Sequence, residues 1–149
     1  MRSWVKMAFA ALAALTLAAP PAAAQVPDPY ARELAQRLSR AETVLVESGY
    51  ARAAGPFAGG LNAGQGRQFS VMLRAGRDYR IVGVCETRCR DFDMRLLDPD
   101  NRLIGQDVLE DTVPVIHIRP RTTGRHTIEA AMIRCSGAPC WFAFNVYSR

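Results

Sequence analysis

Past Lys6 the chain contains no lysine, and it holds only two histidines, His117 and His126. It has no G-x-S-x-G, no H-E-x-x-H and no phosphate-cradling glycine loop, which sets aside the enzymes those motifs mark. A redox Cys-x-x-Cys is missing too. These absences together predict a protein that is not an enzyme. The formal net charge is +5, and two of those charges belong to Arg2 and Lys6 near the start. So mild an excess gives no reason to expect nucleic acid as a partner.

Arg2 and Lys6 form a positive n-region, and Met7 to Ala19 is an apolar run too short to span a bilayer as a helix. Ala22-Ala23-Ala24 then supplies the small residues of a cleavage site. The expectation is a signal peptide over residues 1–24, cleaved after Ala24, and a periplasmic or secreted product that is not an integral membrane protein. No cysteine lies near that point, so a lipid anchor is not expected. Residues 25–149 suffice for one domain with a real core.

Two regions follow. Asp28 to Ser48 predicts a helix, with Asp28 as N-cap, Pro29 at the first helical position, an apolar stripe of Leu34, Leu38, Ala41 and Leu45, and Gly49 as the stop. So narrow a stripe predicts docking on the same domain, with a partner as the alternative. Gly49 to Arg67 is rich in glycine and alanine and has no period, which predicts a linker. The division is therefore helix and linker over residues 25–55 and a β-sandwich over residues 56–149.

From Gln68 the period is two, and turn signals separate short runs rich in β-branched and aromatic residues. The runs are Gln68–Arg74, Tyr79–Cys85, Asp91–Leu97, Arg102–Asp107, Thr112–Arg119, Arg125–Cys135 and Cys140–Ser148. About seven strands this close together leave no room for crossover helices, so the expected class is mainly β, an antiparallel sandwich with one N-terminal α-helix. Pro114 cannot donate to a ladder, which places its strand at an edge or a bulge. The last run carries Trp141, Phe142, Phe144 and Tyr147 with apolar residues on both faces, as a central strand would.

Cys85 and Cys89, and Cys135 and Cys140, each span the gap between one strand and the next. In an oxidising compartment an even cysteine count predicts disulfides. Chain entropy favours the crossed pairing, since a loop of about 50 residues gives roughly 4 kcal/mol against roughly 2 for one of about five. Local pairing makes no demand on the global fold, and we expect Cys85–Cys89 and Cys135–Cys140, each stapling its own turn. A four-sulfur zinc site is the alternative, but these spacings are looser than the usual Cys-x2-Cys pairs.

The sequence from Ala75 to Val146 resembles the bacterial pre-peptidase C-terminal domain type. The resemblance lies in a Y-x-I strand (Tyr79, Ile81), a D-x-D-x-x-L strand (Asp91, Asp93, Leu96), a short strand followed by Asp107, and a P-x-x-x-G-x-x-T-I segment (Pro120, Gly124, Thr127, Ile128). It extends over residues 57–149 and implies a jelly-roll-like sandwich. It also implies an accessory role beside secreted peptidases, with calcium or substrate binding in some members; no peptidase accompanies this sequence.

Acids are the candidate ligands. Asp91 and Asp93 share one face of their strand while Phe92, Met94 and Leu96 take the other; Asp98, Asp100 and Asn101 follow in a turn, with Asp107, Glu110 and Asp111 beyond. Calcium, which wants six to eight oxygens, is the cofactor that Asp91, Asp93, Asp98, Asp100 and Asp107 would hold. Against it stand Arg88, Arg90, Arg95 and Arg102, close enough in sequence to pair with the same acids. His117 and His126 flank a turn and would face each other across a hairpin as half-exposed polar residues, or as a paired metal site. The functional expectation is a non-catalytic exported module that binds a protein or envelope component. The alternative is a calcium- or carbohydrate-binding module built on the loop acids.

Overall fold

Strand β8, Cys140–Ser148, is buried at every position, which an isolated antiparallel sheet with one wet face cannot achieve. Two partners account for it in the computed structural model, which describes residues 25–149. The expected signal peptide lies outside the described residues. The inner face of β8 meets a second sheet; helix α1, Asp28–Glu47, covers its outer face.

The strands, in chain order, are β1 Ala51–Leu61, β2 Gln65–Leu73, β3 Tyr79–Cys85, β4 Cys89–Leu97, β5 Leu103–Asp107, β6 Val115–Ile118, β7 Gly124–Cys135 and β8. One sheet has the order β1-β8-β3-β6 and bears the helix; the other, β2-β7-β4-β5, leaves its outer face open. All pairs are antiparallel, and they nest: β1 with β8, β2 with β7, β3 with β6, β4 with β5. The chain is thus a long double ribbon folded over on itself, the eight-stranded jelly roll.

The expected sandwich is present with one strand more than the sequence predicts. The segment read as a linker contains β1, so residues 51–55 belong to the sandwich and the division at 55/56 falls inside a strand. Its small residues answer to β8. A Cβ on Gly59 would come within 3.3 Å of the Phe142 ring, and one on Gly60 within 2.9 Å of Trp141. β1 is an edge strand with register shifts before Phe57, where Pro56 removes no needed donor. Pro114 precedes β6, the opposite edge of the same sheet, as expected.

Between the sheets Phe92, Phe142 and Phe144 are fully buried. Phe57 stacks on Phe144 at 4.8 Å, and Phe69 meets Phe144 edge-on at 5.0 Å. Each such ring contributes about 1.5–3 kcal/mol by leaving water.

Helix α1 starts one residue earlier than its sequence suggests: Pro27 is the N-cap, without a side-chain bond, and Asp28 opens the first turn. It ends in a Schellman motif. Tyr50 N donates to Leu45 O, Gly49 N donates to Val46 O, and Gly49 takes a φ of +82°, where a side chain would be strained. The stripe docks on its own domain: Leu34 and Leu38 pack on Val84, Trp141 and Ala143, while Ala41 and Leu45 pack on Tyr50, Val82 and Tyr147.

Candidate functional site

The cysteines close one end of the sandwich. Disulfides join Cys85 to Cys89 and Cys135 to Cys140, with Cα separations of 5.9 and 6.0 Å. The pairing is local as expected, but it does not staple hairpins. β3 and β4 lie in different sheets, as do β7 and β8, so each disulfide ties one sheet to the other. Cys89 and Cys135 are register partners across β4 and β7, so the ends a crossed pairing needs do adjoin. Arg88 knits the two corners. Its carbonyl accepts from Ser136 N and Oγ, its guanidinium donates to Glu86 and to Pro139 O, and it lies 4.5 Å over the Tyr30 ring of α1.

The five candidate ligands do not form one site. Asp98 and Asp100 serve the turn at the far end of β4: Asp98 accepts from Arg102 N and Asp100 N at 2.9 Å and from Arg102 Nε at 3.0 Å. The backbone bond from Arg102, with these others, holds the Asp98 carboxyl below the usual carboxylate range. Asp107 accepts from Leu109 N and Val115 N, fastening the loop between β5 and β6. Asp91 and Asp93 sit together at the other end, both buried where β4 bulges. Burial, then the neighbouring Asp91 charge, pushes the Asp93 carboxyl up, with Asp107 and Asp111 adding to it. Asp91 Oδ2 lies 3.7 Å from Arg134 Nε, and its buried Oδ1 has no partner among the described residues. Among the described residues no three acid, histidine or cysteine side chains are grouped so as to hold a metal ion.

Nor do the histidines pair. β6 and β7 belong to opposite sheets, so no hairpin joins them. His117 is half-exposed with its Nε2 3.1 Å from Asp78 Oδ1, whereas His126 points inward and is fully buried.

The site the sequence hid is a trough of about 590 Å³ between α1 and the β1 side of the helix-bearing sheet. Small side chains leave it open: Ala31 and Ala35 on the helix, Ala58 on β1 and Ala143 on β8, with Leu34 and Leu38 deeper. Its volume lies in the range of small-ligand pockets. One end is polar. Arg52 donates to Glu42 at 3.2 Å, and Asn145 Nδ2 donates to Tyr147 Oη at 3.0 Å. Asn145 is buried, and its Oδ1 has no donor among the described residues. Burial pushes the Tyr147 hydroxyl up, so it keeps its proton. The signal in the sequence was Asn145 itself, a lone amide inside the apolar run Trp141–Tyr147.

Neither protein-family profiles nor curated proteins match the chain. Two disulfides fit a compartment outside the reducing cytosol, and among the described residues no helix is long and apolar enough to cross a membrane.

Proposed function

We propose that the protein is a non-catalytic exported β-sandwich module that takes an apolar segment of a secreted or envelope partner protein into the trough beside α1. The trough carries this reading: it is open, floored by methyl groups, and ends at a buried amide oxygen that lacks a donor. An extended peptide supplies both an apolar side chain and an N–H for that oxygen. Replacing Ala35 or Ala58, both exposed, by Trp fills the trough without touching the core. The expected result is unchanged melting, loss of N-phenyl-1-naphthylamine fluorescence, and loss of the partners that the wild-type protein retains from envelope extract. Equal probe and partner binding by wild type and both variants would sink the reading.

A second reading rests on Asp91 and Asp93. An unpartnered buried carboxylate oxygen beside a second buried acid is the kind of donor set calcium completes with backbone oxygens. Titration with Ca²⁺ in calorimetry should then release heat and raise the melting temperature, and no heat with no shift ends it.

A further inference from the structure

A second cleft, of about 440 Å³, opens at the end of the sandwich where the β4–β5 turn meets the connection from β6 to β7. His126 on β7 forms part of its lining and is fully buried. The ring's Nδ1 lies 3.0 Å from Gly124 O. A carbonyl oxygen only accepts, so Nδ1 carries the hydrogen and, in the neutral ring, Nε2 holds the lone pair. That Nε2 has no partner among the described residues, and a buried acceptor without a donor is costly to leave so.

Three arginines, Arg102, Arg119 and Arg121, line the same cleft. Arg102 is committed to Asp98 at 3.0 Å and Asp100 at 2.8 Å. Arg119 reaches Asp78 only at 3.4 Å and shares it with His117 and Arg149. Arg121 is exposed and makes no ion pair among the described residues. The cleft therefore offers a positive rim, carried by Arg121 and in part by Arg119, over a floor that needs a hydroxyl or N–H donor.

We propose that this cleft binds a small hydroxylated carboxylate of the sugar-acid class, its carboxylate on Arg121 and Arg119 and a hydroxyl donating to His126 Nε2. A bare carboxylate leaves His126 unanswered, and a neutral sugar leaves the arginines unanswered. A doubly charged phosphate meets Asp98, which lines the same cleft. A guanidinium and a carboxylate form a bidentate pair, and the hydroxyl supplies the donor the buried ring lacks.

Titration of the purified protein with glucuronate, followed by calorimetry and by the ¹⁵N shift of His126 Nε2, tests this. Glucuronate should bind and move that shift, while glucose, acetate and inorganic phosphate bind at least ten-fold more weakly. Arg121→Gln, on the surface, should weaken glucuronate at least ten-fold with melting unchanged. An oligo-uronate in a parallel arm tells a free sugar acid from a polysaccharide unit: either binder supports the site, and the tighter one names the source. Equal binding of acetate or phosphate, equal binding of glucose, an unmoved His126 shift, or no effect of Arg121→Gln overturns the proposal.

Discussion

The central strands β8 and β7 hold matching places in the two sheets, each second in its strand order, yet only one of them is covered on both sides. Every residue of β8 is buried, whereas β7 alternates: His126, Ile128, Ala130 and Met132 are inside, and Arg125, Thr127, Glu129 and Ile133 reach partial or full exposure. The inner faces are alike, since both fill the same core. The difference is α1, which turns the outer face of one sheet into a second core of Trp141, Ala143 and Val84. A sheet face is apolar because something lies on it, so the continuous apolar run of β8 already implies a covering element.

The sharpest way to break the comparison is to truncate one outer-face residue on each sheet. Trp141, 8% exposed, packs under α1 and lies 6.4 Å from the Tyr30 ring. Trp141→Ala should cost about 3–5 kcal/mol. Met72, 68% exposed on the open sheet, should change stability by less than about 0.5 kcal/mol as Met72→Ala. Urea unfolding followed by circular dichroism measures both. Similar costs at the two sites would mean that α1 is not docked in solution.

The disulfides test whether the two sheets depend on each other at that end. Replacing Cys135 and Cys140 by Ser removes one sheet-to-sheet tie and should cost about 2 kcal/mol, as a short closed loop predicts. Cys85 and Cys89 should cost the same. Cys89 and Cys135 are register partners, close enough to couple, so the two double variants combined should depart from additivity by more than about 0.5 kcal/mol, and Arg88, which contacts both corners, is a second route for that coupling.

How much of this was legible followed from what is local. β3 and β8 run between the turn signals that bound them in the sequence, and the apolar stripe of α1 named the residues that dock. β1 was not legible, because Gly59 and Gly60 are small in response to Phe142 and Trp141, far along the chain. Local pairing of the cysteines followed from their spacing, but which sheets they join depends on the nested topology. The same holds for the sites. Asp91 and Asp93 share a strand and stay together, while Asp98 and Asp107 accept from backbone N–H groups in their turns and Asp100 accepts from the Arg102 guanidinium, the arginine pairing that stood against calcium in the sequence. The trough and the His126 cleft exist only once separate elements meet.

The smallest effect belongs to the open sheet, where Asp93 on β4 and Asp98 in the turn that follows it are shifted in opposite senses. Burial and the Asp91 charge raise Asp93 above its ordinary pKa, so the folded protein holds that proton to a higher pH than the unfolded chain. Stability therefore falls as pH rises from the ordinary carboxylate pKa through the raised folded value, and stays lowered above it. Asp93→Asn in EDTA should raise the melting temperature slightly at pH 7, and the gap to wild type should close as pH falls through that window. Asp98 is depressed by its bond from Arg102 N, so its contribution is present above the unfolded pKa and is lost as pH falls through the folded one. Asp98→Asn should accordingly lower melting at pH 7 and converge on wild type in acid. If Asp93→Asn instead lowers melting in EDTA at pH 7, Asp93 is a structural acceptor in the folded sheet, and its charge is compensated there by Arg95.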